Sequence, residues 1–339
     1  MPGTSLTACR LSPASPAFCI PRKPNTKQAF SGPCQTKTPT EYDSNLFEDS
    51  LSHRDASVMP IDLPLHANEG VHQVAVGSDA VFAVTTHGRC FAWGSRLHGR
   101  LGADKSECME VPEVPDGGVI EVHGIGFAVH VVCGAEHSLA LNSDGDVFSW
   151  GSALAGRLGI GARATCLPCR AGHLPYTRMP ERIDVLQRRI VGLACSDLHC
   201  LALSAEGEVF AWGSASLGRL GLGREALSLV NGEATQPMRV NRLQGCYIVQ
   251  VVCSKANSGC LSIAGDIFTW GATCYGLASC SGSGCAQEEP GLLLSATPNA
   301  NRVTSLAMGK LHALALSVMS LKPSCAFDGI LFLFLTRVR

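Results

Sequence analysis

The sequence has few charged and few aromatic residues for a chain of 339 residues. Charged side chains make up 16% of it and aromatic side chains 6%, and 27 basic residues nearly balance 28 acidic ones. This balance excludes a protein whose whole surface is basic enough to bind nucleic acid. No apolar run approaches the roughly 18 residues of a membrane-spanning helix, and the apolar segment ILFLFL at 330–335 is far too short. We therefore expect no membrane contact.

The N-terminal region lacks a continuous apolar stretch of the kind found in secretory signal peptides. The chain contains 17 cysteines, an odd number, spread over a length that does not suit a small disulfide-stabilised domain. We expect free thiols in a reducing compartment, which is either the cytoplasm or the nucleus.

Motifs of common active sites are also missing. The sequence has no phosphate-binding Gly-x-x-x-x-Gly-Lys loop, no Gly-x-Ser-x-Gly nucleophile turn and no His-Glu-x-x-His zinc motif. We therefore expect that the protein is not an enzyme and that it has no catalytic residue and no cofactor.

Residues 1–70 are rich in Pro, Ser and Thr and show no sustained periodicity, so we predict that this segment is mostly disordered. Residues 1–40 contain no Asp or Glu but carry five basic side chains: Arg10, Arg22, Lys23, Lys27 and Lys37. Such a segment is typical of an organelle transit peptide, of a basic tail that contacts chromatin, or of a solvated tail without a binding function. These three interpretations stay open.

From residue 71 the chain repeats one phrase. All four tryptophans stand in a Trp-Gly pair, at intervals of 57, 62 and 58 residues. We call the position thirteen residues before each tryptophan the slot. A glycine always stands eight residues after the slot, and another stands six residues after the tryptophan. The repeat positions are Trp93, Trp150, Trp212 and Trp270; the slot residues Ala80, His137, His199 and Asn257; and Gly88, Gly145, Gly207 and Gly265.

A fifth copy of the phrase is degenerate. It covers residues 303–317 and has His312 in the slot, but Cys325 stands where the tryptophan is expected. We predict that the later segment 328–334 is a displaced strand of this copy.

The copy at 131–159 shows what the phrase encodes. Apolar alternation over 138–141 predicts a strand, and Asn-Ser-Asp-Gly at 142–145 predicts a hairpin in which Gly145 takes a positive φ. Each repeat is therefore predicted to be an antiparallel sheet of about three strands, and the variable segment between repeats supplies a further strand or a loop. One such sheet cannot bury its faces alone, so stacked copies indicate an all-β β-propeller.

The phrase resembles the regulator of chromosome condensation repeat, whose pattern is GxxHxLAL followed by DGxVFxWGxxxxGxLG. The residues that carry the resemblance in one copy are Gly134, His137, Leu139–Leu141, Gly145, Phe148, Trp150, Gly151, Gly156, Leu158 and Gly159. The resemblance implies a propeller of the seven-bladed type.

The chain departs from the family pattern because it has four recognisable copies and a fragment. We therefore predict a partial or incomplete ring of antiparallel blades over 71–317, followed by a degenerate C-terminal tail over 318–339. Three arrangements stay open: an open arc, closure by self-association, and an incomplete version of a longer protein.

The arginines of the Gly-Arg-Leu-Gly segments are the candidate partner-binding residues. Arg100, Arg157 and Arg219 stand at equivalent turns of three consecutive repeats and are predicted to lie along one rim. A row of guanidinium groups suits carboxylates or phosphates of a partner. In the alternative interpretation, each arginine bonds within its own blade or to a neighbouring carboxylate.

The slot histidines His137, His199 and His312 suggest metal ligands at first sight. Ala80 and Asn257 fill the same slot, however, and a metal centre shared among the repeats would not tolerate them. We therefore expect no metal site, and we interpret each histidine as a turn cap or as a partner of backbone groups within its own sheet.

The cysteines give a similar prediction. Cys133, Cys195 and Cys253 share one repeat position, which Val76 and Met308 fill elsewhere, so we predict that this position is buried and apolar. Cys166 and Cys169 form a close pair, and without a second pair we interpret them as loop thiols.

The resemblance favours a scaffold that binds another protein, because a rigid ring with variable loops suits that function. The alternative is a guanine-nucleotide exchange factor for a Ran-like small GTPase, the activity of the founding family member. Exchange needs a loop that opens the nucleotide site, and segments 103–130 and 160–189 are the only ones long enough to carry it. The plant ultraviolet-B photoreceptor has this fold but uses additional tryptophans, and we exclude it because every tryptophan here fills a repeat position.

Overall fold

A computed structural model describes residues 61–102, 118–166, 175–273, 286–295, 302–309, 312–319 and 329–334. Within these ranges the chain forms nineteen β-strands and seven short 3₁₀ turns. None of the helices in these ranges has the length and apolar character needed to cross a membrane. The predicted all-β class is confirmed. Residues 1–60, most of the segment that we predicted to be disordered, lie outside the described residues.

The strands group into five sheets, which we call blades in chain order. The first blade contains β1 (Val71–Val76), β2 (Ala80–Thr85), β3 (Cys90–Gly94) and β4 (Ile120–Val122). The second contains β5 (Ala128–Cys133), β6 (His137–Asn142), β7 (Val147–Ser152) and β8 (Tyr176–Arg182). The third contains β9 (Ile190–Cys195), β10 (His199–Ser204), β11 (Val209–Ser214) and β12 (Glu233–Arg239). The fourth contains β13 (Ile248–Cys253), β14 (Asn257–Ser262), β15 (Ile267–Ala272) and β16 (Ala286–Leu294), and the fifth β17 (Arg302–Met308), β18 (Ala313–Met319) and β19 (Gly329–Phe334).

Each blade is an antiparallel sheet whose strands pair in chain order. Four blades have four strands rather than about three, because the variable segment between repeats supplies the fourth strand. The fifth blade has three strands in the described residues. Its third strand, β19, lies within the segment 328–334 that we predicted to be displaced, and it pairs with β18.

The repeat phrase places the same residues at the same points of each blade. The slot residue begins the second strand in the first four blades, and the tryptophan is the fourth residue of the third strand. The turn glycine between these strands has φ values of 73°, 89°, 78° and 98° at Gly88, Gly145, Gly207 and Gly265. Such values favour glycine because it has no Cβ, which confirms the predicted hairpin turn.

Packing between blades follows the chain. The first strand of each blade packs on the first strand of the next: β1 on β5, β5 on β9, β9 on β13 and β13 on β17. Among the described elements, extensive packing joins only consecutive blades. The four tryptophans are among the largest fully buried side chains. This arrangement matches the predicted partial ring of antiparallel blades.

Candidate functional site

The three repeat arginines lie in the contacts between consecutive blades. Arg100, Arg157 and Arg219 are 5%, 2% and 5% exposed. Each follows a 3₁₀ turn at the end of a third strand, and its Nε group donates to the backbone carbonyl three residues earlier. These contacts agree with the alternative interpretation, in which each arginine bonds within its own blade or to a neighbouring carboxylate. The binding of a partner by the guanidinium groups stays a prediction.

The Nη1 groups of these arginines hold neighbouring turns. Arg100 and Arg219 donate to a backbone carbonyl in the turn of the next blade, at 3.1 and 3.3 Å. Arg157 pairs with the carboxylate of Glu136 at 3.3 Å. Burial lowers the pKa of the Arg157 guanidinium, and the charge of Glu136 opposes this shift. The side chain is therefore held by an ion pair in the turn between β5 and β6.

The backbone carbonyls of the same arginines join each blade to the next. The Arg157 carbonyl accepts hydrogen bonds from Trp212 Nε1 at 3.0 Å and from Cys200 Sγ at 3.6 Å. The two donors converge because Trp212 and Cys200 face each other across the β10–β11 hairpin. Arg100 and Arg219 accept in the same way from the next blades: Trp150 (2.8 Å), Ser138 (3.2 Å), Trp270 (2.9 Å) and Ser258 (2.8 Å). We call this arrangement the carbonyl contact.

The last glycine of each Gly-Arg-Leu-Gly segment makes the carbonyl contact possible. Gly159 has a φ of +69°, and a Cβ atom there would lie 2.8 Å from Trp212 Nε1. Gly102 and Gly221 lie equally close to the indoles of their next blades. Any larger residue would therefore push the next blade away.

The slot histidines reach into the next blade. His137 Nε2 lies 3.1 Å from Cys200 Sγ and 3.2 Å from Cys195 Sγ, both in the third blade. His199 Nε2 lies 2.8 Å from Ser258 Oγ in the fourth blade. The interpretation that each histidine bonds within its own sheet is therefore wrong for His137 and incomplete for His199. The physical reason is that the slot lies at the start of the second strand, beside the neighbouring blade.

Burial and neighbouring charges perturb the ionisation of these groups. Burial lowers the pKa of His199 to about 3, and the charge of the Arg219 guanidinium acts in the same direction. Burial raises the pKa of the Cys200 thiol well above its usual range. Burial opposes ionisation of Cys195 too, but the contacts with Cys200, His137 and Arg157 outweigh it and lower the pKa of Cys195 to about 5.

The outer side of the first blade lacks the contacts that the interior blades have. Trp93 is 2% exposed, but its Nε1 group has no hydrogen-bond partner in the described part of the chain. Val76 is 71% exposed, and Cys133, Cys195 and Cys253 are only half-buried. The prediction that this repeat position is buried and apolar is therefore wrong for Val76, whereas the three cysteines are half-buried and pack against core residues. The preceding blade covers this position, as where Gly77 lies against Cys133, and no described blade precedes the first.

Exposed apolar side chains mark the end of the blades where the third strands finish. Leu97, Leu154 and Leu217 are 67%, 39% and 44% exposed and lie in the 3₁₀ turns just before the arginines. The longer turns of the third blade add Leu227 at 83% and Val230 at 78%. We call these five residues the leucine rim.

Two features of this region were not predicted from the sequence. The prediction concerned the arginine side chains and left out their backbone carbonyls, although the fixed spacing of Gly-Arg-Leu-Gly from each tryptophan was a signal. The expectation of no metal site rested on the histidine slot alone, whereas His137 meets thiols of the next repeat. The signal was Cys200, which replaces the serine found after the slot at Ser138 and Ser258. Cys169, the partner in the predicted loop pair, lies outside the described residues.

Comparison with known families identifies the repeats. Residues 87–141, 144–203 and 206–261 match the Regulator of chromosome condensation (RCC1) repeat. Residues 128–156 and 190–219 also match a second description of the same repeat.

Two relatives show how far the likeness extends. The chain is 32% identical over 247 residues to the probable E3 ubiquitin-protein ligase HERC6 of Homo sapiens, covering 72% of this chain and 22% of that protein. It is 32% identical over 207 residues to the ultraviolet-B receptor UVR8 of Arabidopsis thaliana, covering 60% of this chain and 42% of that protein. The chain thus spans less than half the length of either relative.

Solved structures show the same fold. Human WBSCR16 aligns with a TM-score of 0.63 at 24% identity, over 77% of this chain and 63% of that chain. Prp20p of Saccharomyces cerevisiae aligns with a TM-score of 0.59 at 19% identity, over 77% of this chain and 59% of that chain. Each matched repeat runs from the third strand of one blade to the second strand of the next. Because the matched repeats cover about half of the chain, the protein belongs to the regulator of chromosome condensation (RCC1) repeat family.

Proposed function

We propose that the protein is a non-enzymatic scaffold that binds another protein through the leucine rim. The observation that carries this proposal is the repetition of exposed leucines at equivalent turns of three consecutive blades. The buried repeat residues are engaged in joining the blades, whereas these leucines contribute side chains that the fold leaves in solvent.

The chemistry of the rim favours a protein partner. Large apolar side chains in neighbouring turns form the kind of surface that marks interaction sites. The buried arginines lie directly behind these turns and fix their backbone through the Nε hydrogen bonds. A preorganised surface loses little conformational entropy when a partner binds, which increases affinity.

The proposal is tested by placing charges on the rim. A variant with Leu97→Asp, Leu154→Asp and Leu217→Asp is compared with a control that carries Val185→Asp and Ile263→Asp, which are 46% and 53% exposed at the opposite ends of the strands. Proteins captured by the wild-type chain are quantified by mass spectrometry. We expect the rim variant to lose its partner and the control to keep it. Equal capture by both variants would contradict the proposal.

The exchange-factor alternative has less support from the structure. Prp20p is described with binding properties to Gsp1p and histones, but the likeness at 19% identity concerns the fold alone. Of the two segments that we considered for an exchange loop, the described parts contain the fourth strands β4 and β8. Residues 103–117 and 167–174 lie outside the described residues. Release of labelled GDP from a Ran-like GTPase, measured by stopped flow with the protein added, distinguishes the two functions: acceleration supports exchange.

A contact between residues 1–40 and chromatin stays a prediction, and so does organelle targeting by the same segment. Both concern residues outside the described ranges. A nuclear or cytoplasmic location of the scaffold likewise stays a proposal, tested by imaging the tagged full chain beside a chain that starts at residue 61.

A further inference from the structure

Three potential metal ligands meet at the contact between the second and third blades. His137 Nε2 lies 3.1 Å from Cys200 Sγ and 3.2 Å from Cys195 Sγ, and the two sulfur atoms are 3.9 Å apart. His137 and Cys200 are 1% and 0% exposed. The atoms come from the start of β6, the end of β9 and the start of β10, so the blade contact itself brings them together.

Rigid pairing holds the two thiols side by side. Cys195 and Cys200 are direct partners across the β9–β10 hairpin, and the turn beyond them is closed by the bond from Ser196 N to the His199 carbonyl. Their pair is therefore of the non-hydrogen-bonded type, in which side chains lie closest. His137 Nδ1 has no partner in the described residues, so the polar contacts of the ring all face the thiols.

Equivalent contacts show that this cluster is not a general feature of the repeat. At the contact between the third and fourth blades, His199 meets the Ser258 hydroxyl at 2.8 Å. At the contact between the first and second blades, the slot holds Ala80 and the next position holds Ser138. A histidine and two cysteines coincide at one contact within the described residues. The hydrogen bond of this position needs only a hydroxyl, so the repeat itself does not call for Cys200.

The separations suit one ion bound by all three atoms. Metal–sulfur and metal–nitrogen distances of about 2.3 and 2.0 Å, with three donors in one plane, place sulfurs about 4.0 Å apart and nitrogen about 3.7 Å from sulfur. The sulfur separation already agrees, and the imidazole needs to move by about 0.5 Å, a small rotation of its side chain. No fourth His, Cys, Asp or Glu joins the cluster in the described ranges.

We propose that His137, Cys195 and Cys200 bind one thiophilic metal ion, Cu(I) in preference to Zn(II). Thiolate and imidazole ligands select both ions over hard cations. Structural zinc sites are almost always four-coordinate, whereas Cu(I) accepts three donors in a trigonal plane. Bound there, the ion joins the second blade to the third, because one ligand comes from the former and two come from the latter.

The test measures metal uptake by the full chain, reduced, metal-free and kept anaerobic. Cu(I) and Zn(II) are titrated separately in competition with a chromophoric chelator of each ion. Because the chain has 17 cysteines, the informative quantity is the difference in tightly bound equivalents between variants. Cys200→Ser installs the hydroxyl of the equivalent contact, and His137→Asn installs the residue that fills the slot at Asn257. Cys253→Ser is the matched control, since it removes a half-buried thiol from the repeat position of Cys195 while all three ligand residues stay in place.

We expect the wild-type chain and Cys253→Ser to bind one more equivalent of Cu(I) than Cys200→Ser and His137→Asn. The same two proteins should gain a Cu(I)-dependent rise in unfolding midpoint that the other two lack, because a ligand stabilises the state that binds it. Circular dichroism checks that each variant is folded. Equal uptake by all four proteins would overturn the site, and tighter uptake of Zn(II) than of Cu(I) at this equivalent would overturn the assignment of the ion. A Cys195–Cys200 disulfide in the protein as isolated from cells would also overturn it.

Discussion

Two regions contain the same repeat phrase but surround the tryptophan indole differently. One is the contact between the second and third blades, and the other is the outer side of the first blade. Trp212 donates to the Arg157 carbonyl at 3.0 Å and lies against Gly159. Trp93 is nearly as buried, yet its Nε1 group has no acceptor in the described residues. A blade therefore buries its own tryptophan, whereas the hydrogen bond comes from the blade before it.

This difference has energetic consequences. A hydrogen bond contributes about 1 kcal/mol net, and a buried donor without a partner costs about 1 to 3 kcal/mol. The interior contact therefore stabilises both blades that it joins, while the first blade has an indole N–H without a partner in the described residues. We expect local opening to begin at the first blade.

The largest effect is expected from a side chain placed between two interior blades. Gly159→Ala puts a Cβ atom 2.8 Å from Trp212 Nε1 at a φ of +69°. Strain and displacement together should lower the free energy of unfolding by about 3 kcal/mol. Gly245→Ala is the matched control, because Gly245 has a φ of +90° with open space around it, so only about 1 kcal/mol is expected. Equal losses in urea unfolding would contradict the packing role of Gly159.

Removing the indole N–H from each region sharpens the comparison. Trp212→Phe should destabilise the protein by about 2 kcal/mol more than Trp93→Phe, because within the described residues only the Trp212 indole donates a hydrogen bond. Both substitutions remove a similar volume, so the difference reports the bond. The measurement is chemical denaturation of the two variants, and a larger loss for Trp93→Phe would argue against the carbonyl contact.

An interior slot histidine should make stability depend on pH. The pKa of His199 is about 3 in the folded protein, below the roughly 6.5 of an unfolded chain. Between these values the unfolded state binds the extra proton, so stability is lost as pH falls below about 6.5, by up to about 1.4 kcal/mol per pH unit. His199→Asn, which copies Asn257, should flatten this slope in thermal or urea unfolding between pH 6.5 and 5.5. An unchanged slope would show that other groups cause it.

The smallest effect concerns the leucine-rim turns. Ala155 has a φ of +60° and Ala153, in the same turn, has a φ of −87°. Glycine relieves the strain at the first position, so Ala155→Gly should raise the free energy of unfolding by up to about 1 kcal/mol. Ala153→Gly should lower the free energy of unfolding by about 0.5 to 1 kcal/mol, because glycine there only increases the conformational freedom of the unfolded chain. Opposite signs in the two variants are the expected result, and a loss in both would contradict the strain argument.

Much of the fold was predictable because the phrase is local. The positive φ at Gly145 and the pairing of the second and third strands follow from a hairpin that lies within about twenty residues. The sequence did not distinguish the fourth strands from loops, because segments such as 176–182 have no repeated pattern. These segments become strands by pairing with the third strand.

The contacts between blades were harder to predict, because they join residues about sixty positions apart. The partners of His137 are set by how the next blade is stacked, which no local pattern specifies. The burial of Val76 was predicted wrongly for the same reason, since its repeat position is half-buried where a described blade precedes it and exposed in the first blade. Comparing each slot residue with the residue that follows the slot of the next repeat would have revealed the pair His137 and Cys200.

Hydrogen exchange of the four indole N–H groups, followed by heteronuclear NMR of the full chain and assigned with the Trp→Phe variants, tests the carbonyl contact most directly. The account predicts slow exchange for Trp150, Trp212 and Trp270. Trp93 should exchange about tenfold faster or more, the factor that corresponds to about 1.4 kcal/mol of hydrogen bonding. Equal exchange rates for all four indoles, or slowest exchange for Trp93, would contradict the claim that each blade supplies the acceptor for the next.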